Sequence, residues 1–325
     1  MRYYCTYFDR YYLLRGLALY RSLIQHAEPF MLWVLCFDDW SFDVIAKLAQ
    51  PNLRPIALAD FERGDTDLAA IKPTRSKVEY YFTCSPSLPL YLIKRHPEID
   101  LLTYLDADLY FYASPEPIFA EMGTASVLIS EHRYPPHLKA MEIHGIYNVG
   151  LLAFRNDDLA YACLSWWRAQ CLEWCYDRPE NGKYADQKYL DDWPERFAGV
   201  KVSEHPGAGL APWNWANSHI QPRPDGTFLV DGQPLIFFHF HGLKILNAWL
   251  YDPVYAGKLY GEMPRSLVRL LYGTYLKALR DTAGWARETV PEIGIGYSAL
   301  GSAYKWRVFW SKVRRGRLYL ATGLK

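Results

Sequence analysis

Two stretches of the chain put chemically active side chains where ordinary packing would not favour them. The first is LLTYLDADLYFY, Leu101 to Tyr112, an almost wholly apolar run holding two carboxylates, Asp106 and Asp108, two residues apart. A buried unpaired carboxylate is costly enough that it usually takes up a proton instead, and two side by side also repel. Some positive charge must compensate. Residues two apart in an extended segment project to the same side, so one divalent ion can engage both. Hard ions such as Mg²⁺ and Mn²⁺ typically hold one or two carboxylates together with substrate phosphates. The pair reads as a metal–diphosphate site. The second stretch is FFHFHG, Phe237 to Gly242. In an extended strand His239 and His241 share one face, Phe238 and Phe240 the other. Imidazole is the commonest nitrogen ligand of transition metals, and adding one to two carboxylates moves the expected ion from Mg²⁺ towards Mn²⁺. Spacing alone leaves open which histidine ligates; one core histidine and one surface histidine is the ordinary alternative. Lys244 follows Gly242, which presents no side chain to obstruct phosphates approaching the ammonium.

The chain carries its own control. Asp65 and Asp67, in GDTD, have the same spacing but lie in the polar stretch DFERGDTD with no apolar strand leading in. These are expected to be solvated turn carboxylates.

The elements that must position these groups follow from hydrophobic periodicity. YYCTYFD, FMLWVLCF and LRPIAL read as strands, separated by helices through LLRGLALYRSLIQH and SFDVIAKLAQ. A loop at 60–67 precedes a helix around Lys77 to Arg95, and LLTYL is a strand of the kind buried on both faces of a parallel sheet. That order predicts a doubly wound α/β sheet, whose ligands bind beyond the carboxyl ends of the strands, where Asp106 and Asp108 fall. ASVLIS and YNVGLLAFR are further strands. Asp157 to Tyr176 is a helix with an acidic cap, and a hairpin with DG at its turn joins GTFLV to PLIFFHFH. Beyond about Leu250 the pattern turns helical, which divides the chain into a catalytic domain at 1–250 and a helical extension at 251–325.

Composition limits the function classes. The chain has 325 residues, 50% hydrophobic, and a formal net charge of +1. It is long enough for one large core, and gives no global electrostatic case for nucleic acid. The 26 Tyr and 12 Trp suit a protein that stacks sugars or bases. The opening MRYYCTYFD shows no secretory leader, and no apolar run reaches the roughly 18 residues that span a bilayer. The six cysteines, including Cys163, Cys171 and Cys175, read as buried reduced thiols of a cytoplasmic protein. Residues 301–325 hold seven Lys or Arg and no acid, with Trp306, Phe309, Trp310 and Val313 at helical spacing. Such a helix is either an interfacial anchor at the inner face of the membrane or a terminal helix docked on the protein.

Four segments in order, YLDADLYF, YNVGLLAFR, ADQKYLDDW and FHFHGLK, resemble glycosyltransferases of the GT-A fold. The nearest patterns are those of the glycogenin and bacterial lipopolysaccharide galactosyltransferase group and of related uncharacterised bacterial transferases. The resemblance covers about Arg2 to Leu250. It implies a GT-A mixed sheet flanked by helices, with a C-terminal helical appendage. It also implies metal-dependent transfer of a sugar from a nucleotide-diphosphate donor, a UDP-sugar, to a glycan, lipid-linked or protein acceptor. By position, the resemblance makes Asp106 and Asp108 metal ligands, together with His239, which matches the family's late histidine, or His241, between which the shortened spacing leaves the choice open. Lys244 falls near the family's phosphate-binding lysine, with an interval after Gly242 one residue shorter than the family's. Asn148 and Gly150 match a segment lining the sugar pocket, and Asp186 and Gln187 match a pair beside the transferred sugar. Thr6, Tyr7 and Asp9 match the seat of the nucleotide base, and Arg75 and Lys77 a second donor-contacting stretch. An inverting reaction needs a base, for which Asp186, Asp191 and Glu131 are the candidates; the sequence leaves stereochemistry open. Rival classes are a metal-dependent hydrolase using the His-x-His and a catalytically inactive carbohydrate-binding protein. A sugar nucleotidyltransferase would need a Gly-rich phosphate loop after the first strand, and TYFDRYYLLRG has none.

Overall fold

Each of the first apolar runs becomes a strand in the parallel part of one sheet, and each amphipathic run a helix packed on it. The computed structural model describes residues 1–27, 29–247, 250–253, 260–294, 310 and 318–320. Strands β1 (Arg2–Phe8), β2 (Phe30–Cys36) and β3 (Leu53–Ala57) run parallel, connected through α1 (Leu13–His26) and α2 (Asp39–Leu48). Asp38 starts α2 by accepting a hydrogen bond from the Ser41 N–H at 2.8 Å, satisfying a donor that the first helical turn leaves open. The polar segment that follows departs from its expected loop. It folds into α3 (Leu58–Arg63) and α4 (Thr66–Ile71), each anchored by one fully buried apolar side chain, Phe61 and Leu68. A single anchor per short helix is too little periodicity to read from sequence.

Helix α5 (Lys77–Arg95) opens with a reciprocal Ser76–Glu79 capping box. It leads to the wholly buried β4 (Leu101–Leu105), which inserts parallel to β1. Past the carboxylate pair, β5 (Leu109–Phe111) leaves the sheet. After α6 (Glu116–Met122), β6 (Val127–Glu131) and β7 (Tyr147–Arg155) return to it, β7 lying antiparallel between β4 and β6. Asp157 caps α7 (Asp158–Glu173) by accepting from the Ala160 N–H, and β8 (Val200–Ser203) adds parallel to β6. The order β3-β2-β1-β4-β7-β6-β8 makes a seven-stranded mixed sheet. Leu17 and Leu23 of α1 pack on one face with Val44 of α2; Cys84 and Leu88 of α5 pack on the other with Leu164 and Trp167 of α7. All six cysteines are buried and unpaired. Cys175 lies past the end of α7, so it does not share a helical face with Cys163 and Cys171.

The predicted hairpin divides in two. β9 (Ile220–Pro222), β10 (Phe228–Val230) and β11 (Gln233–Pro234) form a small antiparallel sheet, with Asp231 and Gly232 both at positive φ in the turn. That is the left-handed pairing a tight hairpin needs. The chain then leaves this sheet, and β12 (Phe237–His239) pairs antiparallel with β5, His239 opposite Leu109. Burial supplies the reason. Phe238 and Phe240 enter a cluster with Tyr110, Tyr112 and the C-terminal helix Arg265–Arg287, through Tyr272, Tyr275 and Leu276. A strand pairs where its apolar face is covered. β13 (Lys244–Ile245) pairs with β14 (Leu250–Asp252), so strand pairing crosses residue 250. The same cluster takes Leu14 and Ala18 from α1, so the segment after 250 shares a core with the body carrying the sheet. Apart from Trp310 and 318–320, the basic segment 301–325 lies outside the described residues.

Candidate functional site

The β5–β12 pairing brings the two reactive stretches together. Asp106 Oδ2 lies 3.7 Å and Asp108 Oδ1 3.1 Å from His239 Nε2. These three residues can each present a ligand atom within 4.8 Å of the others, the one such metal-ligating cluster found among the described residues. The local backbone fixes them. The Asp106 N–H donates to Gly150 O at 2.8 Å, the His239 N–H to Leu210 O at 2.8 Å and the Phe240 N–H to Asp108 O at 3.0 Å. Asp106 Oδ1 accepts from the Tyr104 hydroxyl at 2.8 Å, leaving its second oxygen towards His239. Gly150 is required by close approach: a Cβ there would stand 2.5 Å from Asn148 Oδ1 and 3.0 Å from His239 Nδ1.

Electrostatics explains how two acids sit here. Burial alone would raise the pKa of Asp108, but the charge and hydrogen bond of His239, with help from Arg15, carry it well below the ordinary carboxylate range. Asp106 is raised, by burial first and by its neighbour Asp108 in part, against the pull of His239. Burial works to deprotonate His239, and the two acids outweigh it, so its pKa is raised. Without a metal, then, the two acids favour the protonated form of His239 as their counter-charge. The donor set of two carboxylate oxygens and one imidazole nitrogen fits a divalent ion of the Mn²⁺ type.

A cleft of about 300 Å³ opens beside this cluster, lined by Tyr7, Asp106, Asn148, Asp186, Gln187 and His239 and by the aromatic rings of Tyr134, Tyr184, Trp213 and Tyr260. Asp186 is 4% exposed, and burial first, then the charge of Asp106, pushes its carboxyl up to about 7. Its predecessor Ala185 holds a positive φ of 45°, backbone strain of the sort that accumulates at functional sites. Gln187 Nε2–H donates to His144 O at 3.0 Å.

The other sequence candidates divide. Tyr7 faces the cleft, its hydroxyl 3.0 Å from Ser85 Oγ. Thr6 is fully buried and, by strand alternation, turns to the opposite face with Tyr4 and Phe8, so only its backbone is available to a ligand at the strand end. Lys77 Nζ donates to Asp9 Oδ2 at 2.8 Å, and the Tyr81 hydroxyl to the same oxygen at 3.2 Å; this bond first, then burial acting against it, leaves the Lys77 pKa raised. The Arg75 guanidinium donates to Leu172 O, Glu173 O and the Tyr176 hydroxyl at the C-terminal end of α7; neither it nor Lys77 is among the residues lining the cleft. Gly242 has φ 74° and serves the turn after β12. Lys244 is half-buried in β13, its pKa lowered by burial and then by Arg15. His241 lines the cleft, exposed, outside the three-residue cluster. Of the candidate bases, Asp191 is engaged by Lys188 at 2.6 Å and by the Ile146 N–H at 2.7 Å, and Glu131 is exposed at the end of β6; Asp186 alone of the three lines the cleft.

Sequence reasoning missed His132, Trp213 and Arg15. His132, 4% exposed, lines the cleft, with burial holding its pKa down at about 3. Trp213 stands edge-on between His239 and His241, at 5.3 and 5.5 Å. Arg15 is buried beside Tyr12, donating to Leu243 O at 2.8 Å. An arginine amid the apolar run LLRGLALY was its available signal.

No protein-family model matches the chain. Uncharacterized protein YfnF of Bacillus subtilis (strain 168) is 36% identical to it over 253 residues, spanning 75% of this chain and 82% of YfnF. The chain belongs to the YfnF family. A second uncharacterized protein of that organism, YfnD, is 28% identical over 295 residues, 90% of this chain and 93% of YfnD. Among solved structures, the galactosyltransferase LgtC in complex with donor and acceptor sugar analogs matches with a TM-score of 0.52 at 17% identity, covering 83% of this chain and 100% of LgtC. An LgtC active-site mutant matches with a TM-score of 0.53 at 14% identity over the same shares. What this YfnF relative shares with them is architecture: it has the GT-A fold that the four segments predict.

Proposed function

We propose that the protein is a metal-dependent glycosyltransferase that moves a sugar from a nucleotide-diphosphate donor, a UDP-sugar by resemblance, to a glycan or lipid-linked acceptor. The observation that carries the reading is the Asp106–Asp108–His239 cluster at the end of β4, opening on an aromatic-walled cleft. LgtC, of the same fold, binds donor and acceptor sugar analogs. Asp106, Asp108 and His239 hold the cation, Mn²⁺ in preference to Mg²⁺. When bound, it supplies Lewis-acid neutralisation of the departing diphosphate.

The chain's own residues do the rest. Tyr7 and the Asp9–Lys77 pair seat the nucleotide base and ribose at the end of β1. Asn148, and Gly150 by its missing side chain, shape the sugar pocket. Asp186 and Gln187 place a carboxylate and an amide oxygen near the anomeric carbon, where positive charge develops as the bond to phosphate breaks; preoriented dipoles of this kind stabilise such charge. Residues 1–250 make the catalytic body in this reading, and the helix Arg265–Arg287 braces it. No described helix is long and apolar enough to cross a membrane. Contact with an anionic membrane surface through 301–325 belongs to the proposal, and removal of the last 25 residues should abolish liposome co-sedimentation; equal recovery discards it.

A thermal-shift screen of nucleotide-sugars with and without manganese tests the reading, since a ligand that binds the native state raises the melting temperature by mass action. At least one uridine diphosphate sugar should stabilise the protein only with manganese, and that donor should be slowly hydrolysed without acceptor. Stabilisation by free sugars alone, with no effect of nucleotide or metal, would make it a carbohydrate-binding protein instead.

A further inference from the structure

A directional chain of hydrogen bonds runs along the lining of the cleft, starting from a histidine outside all four segments. His132 follows the end of β6. Its Nδ1 lies 3.2 Å from Ile146 O, and a carbonyl can only accept, so Nδ1 carries the hydrogen and Nε2 is left as an acceptor. Asn148 Nδ2 is 3.2 Å from that Nε2. The Asn148 amide cannot be turned round, because its Oδ1 accepts from the Gly150 N–H at 2.8 Å. Its Nδ2 therefore also faces Gln187 Oε1, at 3.5 Å. Gln187 is fixed at its other end by its bond to His144 O. Backbone groups thus set the orientation of every member. The imidazole is clamped as well, stacked on Tyr134 at 4.7 Å and 7° and edged by Trp213 at 5.2 Å. The His132 carbonyl accepts from Trp213 Nε1 at 3.0 Å and Asn214 Nδ2 at 2.9 Å.

We propose that His132 is a positioning residue: its unprotonated Nε2 holds the Asn148 amide, which in turn fixes the side-chain carbonyl of Gln187 at the reacting end of the cleft. The inference rests on the transferase reading for its kinetic consequence, not for its geometry. A misplaced group near a reacting centre can cost on the order of 100-fold. His132→Phe keeps the volume and stacking but removes the acceptor.

The test uses the full chain and the uridine diphosphate sugar selected by the screen. His132→Phe should lower kcat by about 10- to 100-fold with donor KM little changed. His132→Gln, whose amide oxygen can accept from Asn148, should recover much of the loss. In a Gln187→Ala background, His132→Phe should have little further effect, because coupled residues are not additive. Equal losses in both backgrounds, or a raised KM with kcat intact, would overturn the proposal and leave His132 a packing residue. A second readout needs no activity: long-range ¹H–¹⁵N spectra of the wild-type ring should show the Nδ1–H tautomer. The Nε2–H tautomer would overturn the hydrogen-bond chain whether or not the protein transfers sugar, while an Nδ1–H ring in a protein that binds no donor would sink the transferase reading alone.

Discussion

The chain contains the same Asp-x-Asp spacing twice, and the two copies have opposite fates. Asp65 is not the solvated turn acid its surroundings suggest. It caps α4 by accepting from the Leu68 N–H at 3.1 Å, and its side chain, 11% exposed, is gripped through both oxygens by Arg168, which also reaches Asp67 at 3.3 Å. Asp106 and Asp108 have His239 in the corresponding place. A guanidinium keeps its charge at any pH a protein meets, so Asp65 has a permanent counter-charge engaging both its oxygens. An imidazole can give up its proton, which in the reading proposed above lets the counter-ion become a ligand. In that reading the identity of the third residue, not the spacing, distinguishes the two pairs.

The sharpest way to break this contrast is to remove one acid from each pair. Asp108→Ala should lower manganese affinity and metal-dependent transfer by more than about 100-fold, beyond what outer-shell substitutions usually cost, while Asp65→Ala leaves both within about twofold. Calorimetric titration with manganese decides between them, and comparable losses would end the distinction.

Next in size is the effect of pH. His239, with its raised pKa, must shed a proton before it can ligate, so manganese affinity should rise with pH, by up to about tenfold per unit, and level off above that pKa. An affinity flat from pH 5.5 to 8 would remove His239 from the ligand set.

Arg168→Met strands Asp65 and should cost about 1–3 kcal/mol in urea denaturation, leaving manganese affinity unchanged. The reverse outcome, stable protein with damaged metal binding, would mean the Asp65 pair has a role assigned here only to the other.

The smallest effect concerns Asp186, a third acid with neither guanidinium nor imidazole beside it. Its folded pKa of about 7 exceeds its ordinary value of 3.8, so between about pH 4 and 7 the native state keeps a proton that the unfolded chain has lost. Stability falls as pH rises across that window, and the loss is complete above it. Asp186→Asn should therefore raise the melting temperature by a few degrees at pH 8 in chelator, and not at pH 4. Manganese should shrink the difference by drawing the acid's pKa down. A pH-independent difference would show that the carboxyl is not held protonated.

How much of this was legible depends on how local the signal is. YNVGLLAFR became β7 residue for residue, and the helix from Lys77 to Arg95 began and ended as read, because each carries its own periodicity and cap. The pairing of β12 with β5 was not legible. Nothing in FFHFHG says that it leaves its hairpin; that follows from where Phe238 and Phe240 find cover, beneath a helix that begins at Arg265. The partners of Arg75 were not legible for the same reason, since they lie at the end of α7, almost a hundred residues on. The acids and the histidine could be named from their types. Their companions His132 and Trp213 could not, because a lone histidine and a loop tryptophan look alike whether they serve a site or a core.

The antiparallel contact of β5 with β12 ties assembly of the centre to completion of the chain. Asp108 and His239 are more than a hundred residues apart, and closing so long a loop comes late in folding. A nascent polypeptide still missing its final third holds both acids but not the imidazole that tempers them, so a ribosome stalled there presents only part of the proposed cation site. On the proposed reading, readiness to bind the cation thus requires that synthesis has passed His239.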